Sequence, residues 1–277
     1  MKVLRKGDMT NIGRYVILII ASIIVLFPIY IMIATSFKTR VQTFSMPPVW
    51  LFIPTLKHYG TIIFRGQFLR HLSNSLVVAT STTFISIIIG ALAAYSLVRF
   101  AFLGKHVVST ATLLLRMVPP AVIIIPLYIL WTKLGLMNSR TGLISTYLAL
   151  NLPFTIWVLR SFMMEIPVEI EESALMDGCS ELGILFRIVL PLIKPGIAVA
   201  SIFIFRIAWN EFIISLILTN RYTRTLPVAI SLCMTEIGVQ WGEITAIAVI
   251  VALPAFIFTF FSARSIIGGL TAGAVKG

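Results

Sequence analysis

Six long apolar segments run through the chain, separated by shorter polar stretches. Apart from residues near their ends, these segments contain only three charges: Arg116 in the third, and Arg206 and Glu211 in the fifth. A helix needs about 20 apolar residues to cross the hydrocarbon core of a bilayer, where backbone groups find no water partner. The pattern therefore predicts an all-α integral membrane protein with six transmembrane helices, at residues 15–37, 72–98, 107–131, 141–163, 190–218 and 244–264.

The composition agrees with a membrane environment. Hydrophobic residues make up 58% of the 277 residues and charged residues 12%, about half of the charged fraction of a soluble domain. The net charge of +12 is spread over the loops, so it does not indicate nucleic-acid binding. The first segment is longer than the ~7–15-residue core of a signal peptide, which favours a retained first span. We expect one transmembrane domain over residues 1–277.

The acidic residues are concentrated in one loop. Six of the ten lie between Glu165 and Glu181, within the connection formed by residues 165–191. Basic residues number eleven on the side of the N-terminus and nine on the other side, and the N-terminal flank of the first span is itself basic. We therefore predict that both termini and the acidic loop are cytoplasmic.

The first part of this loop has the pattern of a short amphipathic helix. Pro167 suits a first helical turn, where its missing N–H is not needed, and the following glutamates favour the helix dipole. Ile170 and Ala174 are four residues apart and share a face. Gly178 suits the left-handed residue that ends such a helix.

A second short helix is predicted after it. Ser180 can cap this helix, and Pro191 and Pro195 mark the return to the membrane. Two helices that expose apolar residues beside acids would fit an apolar groove with a basic rim on a partner. The alternative is an acidic loop that is simply solvated.

The loop resembles a known family motif. Glu172-Ser173-Ala174, then Gly178, then Ile188-Val189-Leu190-Pro191 is similar to the EAA loop of bacterial ABC importer permeases, with Ser173 where the family has alanine. Further pieces in the same order resemble carbohydrate-uptake permeases of the maltose type, and the C-terminal piece is similar to their "G" subunit. These pieces are Phe27-Pro28, Ser36-Phe37-Lys38, Asn74-Ser75, Ala93-Ala94-Tyr95-Ser96, Trp209-Asn210-Glu211-Phe212, Thr225-Leu226-Pro227 and the tail from Gly269 to Gly277.

The resemblance implies a permease subunit of an ATP-driven importer for a sugar or sugar derivative, in a bacterial or archaeal cytoplasmic (inner) membrane. Its implied partners are a second homologous permease subunit, two cytoplasmic ABC ATPase subunits, and a periplasmic or lipid-anchored sugar-binding protein. The loop near residues 219–241 would approach that binding protein, and the tail would touch the ATPases. The implied ATPase-coupling residues are Glu171, Glu172, Ser173, Ala174, Asp177, Gly178, Leu190 and Pro191.

The chain itself has no pattern for catalysis. A phosphate-binding loop needs Gly-x-x-x-x-Gly-Lys-[Ser/Thr], and the nearest fragment, Gly104-Lys105, lacks the rest of it. We expect no cofactor on this chain, with ATP and magnesium on partner ATPases, and no metal site, because the histidines and the two cysteines lack ligand spacing.

Polar residues inside the spans are candidates for the substrate pathway, because charge in a bilayer is costly and usually faces a cavity. The candidates are Arg116, Arg206, Trp209, Asn210 and Glu211. Trp209 and Asn210 offer ring stacking and amide hydrogen bonds to a sugar. The alternative is that these residues only pack, or pair within an assembled dimer. Pro119, Pro120 and Pro126 are expected to break the third span, either beside a transport path or as ordinary kinks.

Two other classes of function are alternatives to a permease. An integral membrane enzyme would need clustered histidines or carboxylates near one interface, and only the acids of residues 165–181 cluster. A passive channel leaves the acidic loop unexplained. The carried sugar is not identified by the sequence.

Overall fold

A computed structural model describes residues 6–65, 67–231, 234–235 and 238–274. Cys233 and the last three residues of the predicted tail contact, 275–277, lie outside these ranges. In chain order the described helices are α1 Lys6–Ser36, α2 Arg40–Phe44, α3 Lys57–Arg65, α4 Phe68–Arg99, α5 Lys105–Met117, α6 Pro120–Lys133, α7 Arg140–Met164, α8 Val168–Met176, α9 Glu181–Ile184, α10 Leu190–Leu192, α11 Lys194–Asn210, α12 Ile213–Leu218, α13 Leu226–Ser231 and α14 Trp241–Ala274.

Helices dominate the chain, which confirms the predicted all-α class. A π-helical turn, Leu185–Val189, joins α9 to α10. The described strands are β1 Met234–Thr235 and β2 Gly238–Val239, which pair antiparallel with Met234 opposite Val239. This pair is too short to form a layer, so the structure is built by helix packing.

In the part of the chain that the structure describes, four single helices are long and apolar enough to cross a membrane. They contain the segments Gly13–Ser36, Phe68–Arg99, Arg140–Met164 and Trp241–Phe260. Each overlaps one of the predicted spans. The other two predicted spans fall on bent helix pairs.

The first bent pair consists of α5 and α6, which meet at 101°. The break lies at Val118 and Pro119, and α6 starts with Pro120 in its first turn, where no N–H is needed. The predicted break is therefore present at Pro119–Pro120, whereas α6 continues through Pro126.

The second bent pair lies in the predicted span 190–218. Residues Glu181–Leu192 and Lys194–Asn210 meet at 81°. Residues 190–192 thus extend the preceding helix, and the apolar run is interrupted again after Asn210. Pro191 and Pro195 lack the N–H that a continuous helix would use across this bend.

The chain divides into two compact units. The first contains Met1–Gln67 and Ile230–Ala252. In it the Tyr59 hydroxyl lies 2.8 Å from Ser36 Oγ, and His58 Nε2 lies 2.9 Å from the Lys38 carbonyl oxygen. Gly242 packs against the His58 ring, where an added Cβ would come within 2.4 Å of Cε1.

The second unit contains Phe68–Ala229 and Leu253–Gly277. Its core is built where α4, α7 and α11 pack together, and it continues into the acidic loop. Buried members include Ala94, Leu159, Ile184, Leu185 and Ile204.

Asn74 ties one end of this unit together. Its Nδ2 donates to the carbonyl oxygens of Tyr222 and Arg224, each at 2.9 Å, and its Oδ1 accepts from Arg140 Nε at 2.8 Å. The next residue, Ser75, accepts a hydrogen bond from Leu226 N at 2.7 Å. Two family-like pieces that are far apart in sequence, Asn74-Ser75 and Thr225-Leu226-Pro227, therefore meet in space.

Candidate functional site

The acidic loop of residues 165–191 is ordered around helix α8. Pro167 precedes the helix, and Glu169 and Glu171 lie in its first turn, where negative charge is favoured. Isolated helices shorter than about 12 residues are marginal in water, and α8 has nine residues. Its stability therefore depends on contacts with the rest of the chain.

Glu171 supplies the principal polar contact of this kind. Its side chain is buried, at 4% exposure. Oε1 accepts from Arg99 Nε at 2.7 Å, and Oε2 accepts from the Tyr95 hydroxyl at 2.8 Å. Both carboxylate oxygens are used inside the chain, whereas the family resemblance implies that Glu171 is an ATPase-coupling residue beside Glu172.

Arg99 extends this contact to a third helix. Its Nη2 donates to the carbonyl oxygens of Ile166 at 3.0 Å and Met163 at 3.4 Å, at the end of α7. We call Tyr95, Arg99 and Glu171 the buried joint. No motif in the sequence indicates a role for Arg99. Arg99 lies four residues after Tyr95, so the two share a face of α4, but this spacing does not identify the loop as their partner.

The end of α8 has the predicted geometry. Gly178 has φ +83°, the left-handed region expected for a residue that ends a helix. Gly178 N donates to the Leu175 carbonyl, and Cys179 N donates to the Ala174 carbonyl, each at 3.0 Å. This pair of bonds is a Schellman motif, and it confirms the predicted stop.

The second helix of the loop also begins as predicted. Ser180 Oγ accepts from Gly183 N at 3.2 Å. Ile184 and Leu185 are then buried in the core of the second unit, whereas Pro191 is exposed and Leu190 half-buried. The loop is thus fixed to the helix bundle by its apolar side.

The opposite side of the loop is exposed and mixed in character. Glu172, Ser173 and Asp177 are exposed, and Ala174 is buried. Large apolar side chains are also exposed around these acids, namely Val168, Ile170, Leu175, Met176, Leu182 and Phe186. Exposed apolar groups that cluster beside charge are typical of an interaction surface.

A second candidate site is a cavity of about 450 Å³ in the second unit. It lies beside both helix breaks, at Val118–Pro119 and at Glu211. Its polar lining comes from Arg116, Asn151 and Glu211, and the rest of its wall is mainly apolar. The structure thus brings together two of the five predicted pathway residues.

The two charges of the cavity differ in how they are satisfied. The Arg116 guanidinium lies 4.5 Å from the Phe154 ring centroid, and no hydrogen bond or ion pair of it is found among the described residues. Glu211 Oε1 accepts from Ile214 N, and Oε2 accepts from Ser215 N and from the Tyr147 hydroxyl. Arg116 therefore has donors available, whereas the carboxylate is already bound.

The remaining predicted pathway residues do not line this cavity. Trp209 is buried at 1% exposure, and its indole stacks on the Phe205 ring with the ring centroids 5.5 Å apart. Arg206 is exposed with its guanidinium over the Phe203 ring, and Asn210 donates to the Arg206 carbonyl.

Comparison with known proteins agrees with this architecture. A family model described as "Binding-protein-dependent transport system inner membrane component" matches residues 86–268. The chain is 35% identical to the diacetylchitobiose uptake system permease protein DasC of Streptomyces coelicolor, over 91% of this chain and 92% of that protein. It is 34% identical to the trehalose/maltose transport system permease protein MalG of Thermococcus litoralis, over 94% of each.

The fold is also similar to a solved structure. A chain from the crystal structure of a bacterial ABC transporter involved in the import of the acidic polysaccharide alginate superimposes with a TM-score of 0.79. The match covers 95% of this chain and 99% of that chain at 20% identity. Since the family model covers well over half of the chain and both relatives match nearly all of it, the protein belongs to the family of inner-membrane components of binding-protein-dependent transport systems.

Proposed function

We propose that this chain is one of two permease subunits of an ATP-driven sugar importer, and that it couples to a separate cytoplasmic ATPase through residues 165–191. The carrying observation is the exposed surface of α8. Acids and large apolar side chains share this surface, while the buried joint holds the helix against the bundle. An apolar helix face beside acids suits a groove with basic residues at its rim.

Sugar as the cargo is supported by the relatives. The protein from Streptomyces coelicolor is named for diacetylchitobiose uptake, and that from Thermococcus litoralis for trehalose and maltose. Both match the chain from near one end to near the other. We infer a sugar or sugar derivative for this chain, delivered at the outer face by a binding protein. ATP and magnesium belong to the ATPase partners, and both termini lie in the cytoplasm.

The docking proposal is tested on Glu172 and Gly178. Glu172→Lys reverses the charge of an exposed α8 residue, and like charges at a contact cost several kcal/mol. Gly178→Ala strains the left-handed residue that ends α8, by about 1–2 kcal/mol. We expect both variants to lose co-purifying ATPase and sugar uptake, with Glu172→Lys the more severe.

Glu165→Lys is the matched control, because Glu165 is exposed in the same loop but lies before Pro167, outside α8. It should retain ATPase and uptake. If Glu172→Lys and Gly178→Ala also leave both unchanged, α8 is not the docking element.

We further propose that the cavity beside Arg116 borders the substrate pathway. Its support is an intramembrane guanidinium with available donors beside two broken helices, a setting typical of transport sites. Arg116→Gln removes a charged hydrogen bond to the sugar. It should reduce uptake of a trehalose, maltose or diacetylchitobiose tracer at low concentration about tenfold.

Arg206→Gln is the control for Arg116→Gln. Both arginines lie in apolar segments and contact an aromatic ring, but only Arg116 lines the cavity. Uptake should fall for Arg116→Gln and be largely kept for Arg206→Gln. Equal effects of the two substitutions would remove the cavity from the pathway.

A further inference from the structure

The buried joint connects three elements through one guanidinium. Arg99 belongs to α4, its Nε binds Glu171 of α8, and its Nη2 binds carbonyl oxygens at the end of α7. We propose that Arg99 is the positioning residue that transmits movement of α8 to the membrane helices α4 and α7. This inference rests on the proposed docking of α8 on an ATPase.

The contact is suited to transmitting movement because it is fixed in several directions. The guanidinium is planar and presents its donors in a rigid fork. Glu171 offers two oxygens, and Tyr95 binds the second while Arg99 binds the first. The three side chains of the buried joint are largely removed from water. Charge-assisted hydrogen bonds are stronger in such an environment than in water. A displacement of α8 would therefore displace the end of α4 with it.

Among the described residues, α8 has no second polar side-chain link to another helix. Ser173 donates to the Glu169 carbonyl within α8. Among the described residues, the side-chain hydrogen bonds that link α8 to other helices are all made by Glu171. Ala174 adds an apolar contact to the same core, but a methyl group gives little directional hold. Loss of the joint should leave α8 present but loosely attached.

Two neighbouring glutamates thus divide the work of the loop. Glu172 is exposed towards a partner, and Glu171 is buried towards the bundle. Successive helical residues lie about 100° apart, so adjacent side chains face different surroundings. Glu171 serves the membrane side of the coupling and, because Arg99 holds it, does not need to touch the ATPase, whereas Glu172 is available to the partner.

The test measures how ATP alters the cavity, so it does not require the sugar to be known. The transporter complex is purified with its ATPase in a Cys179→Ser, Cys233→Ser background. Leu150 lines the cavity from α7, and Leu150→Cys there provides a site for a fluorescent maleimide. With the joint intact, we expect ATP to change the labelling rate about fivefold or more, the scale of a typical coupling between sites.

Three substitutions then weaken the joint by different amounts. Glu171→Gln removes the charge, Arg99→Lys keeps the charge but loses the fork, and Tyr95→Phe removes one hydrogen bond. We expect the first two to retain bound ATPase and ATP hydrolysis while the ATP-dependent change falls below about twofold, with Tyr95→Phe intermediate. Glu165→Gln, the exposed control, should behave as the parent.

The outcomes separate the two proposals. If no ATPase co-purifies with the parent, the proposed function fails. If ATPase binds but ATP does not alter Leu150→Cys labelling, or if Arg99→Lys and Glu171→Gln keep the full response, the inference about Arg99 is overturned. Loss of bound ATPase from these two variants would also overturn it, since Arg99 would then only shape the docking helix. Should Glu171→Gln not fold, a full response in Tyr95→Phe overturns it.

Discussion

Gly90 of α4 lies so close to α7 that an added Cβ would come within 2.5 Å of Thr155 Cγ2 and 3.1 Å of its Cβ. The absence of a side chain permits the two helices to approach at this point. Small residues play this part commonly in membrane helix packing, because van der Waals contact is the main attraction between helices in lipid. The glycine at position 90 therefore permits the close contact of α4 with α7.

Gly90→Ala should destabilise the protein by about 1–3 kcal/mol, because an overpacked contact forces side chains or backbone to shift. Thermal unfolding of the purified protein in detergent measures the change. Gly60→Ala is the control, since nothing lies within 4 Å of the added Cβ on α3. A Gly90→Ala variant as stable as Gly60→Ala would show that the two helices can separate without cost.

Which charged residues are buried was only partly predictable from the sequence. The sequence identifies Glu171 and Glu172 as neighbours in an acidic helix start, and periodicity does not tell which of them is buried. The answer depends on Arg99 and Tyr95, which are more than seventy positions away in the chain. Gly178 was predictable, because the left-handed residue after a helix is a local requirement.

At the level of elements, apolar length predicted where helices occur and prolines predicted the break at Pro119–Pro120, but the break after Asn210 was not predicted. Residues 190–218 form an apolar run that includes only Lys194, Arg206 and Glu211 as charges. In the structure α11 ends at Asn210 and α12 starts at Ile213. Glu211 stabilises this break, because its carboxylate binds the N–H groups of Ile214 and Ser215. A side chain at a helix start satisfies donors that would otherwise be orphaned.

Glu211→Ala should therefore destabilise the protein by about 0.5–2 kcal/mol, the range for loss of a cap. It also removes the partner of the Tyr147 hydroxyl. Detergent unfolding measures the loss. Asn210→Ala is the neighbouring control, because the Asn210 side chain is exposed and donates to the Arg206 carbonyl one turn back in the same helix. If the two variants are equally stable, Glu211 does not hold the break.

The whole molecule has a defined sidedness in the proposed orientation. Leu51 follows α2 and Leu103 follows α4, and both are almost fully exposed. One membrane crossing separates the N-terminus from Leu51, and two separate it from Leu103. With the N-terminus in the cytoplasm, Leu51 faces outside and Leu103 faces inside.

Single cysteines test this arrangement in a Cys179→Ser, Cys233→Ser background. A maleimide that cannot cross membranes should label Leu51→Cys in intact spheroplasts, and Leu103→Cys only in inverted vesicles. The basic residues favour the same orientation by a small margin, with eleven on the side of the N-terminus and nine on the other side. The reversed labelling pattern would place the acidic loop outside and exclude an ATPase partner there.

The sequence by itself determined that the chain lies in a lipid membrane, how many apolar segments it has, and where the acidic helix begins and ends. These properties follow from apolar length and from local backbone rules, which act within a few residues. Its motif pieces also indicated the family that comparison then showed.

Only the tertiary structure decided which polar groups meet. In it, Trp209 is buried against Phe205, and Glu211 caps the start of α12. Arg116 lines a cavity with its donors available, and Glu171 binds Arg99. The physical reason is that a buried charge must find its partner across the fold. That partner is chosen by how α4, α7 and α8 pack, and spacing along the chain does not record it.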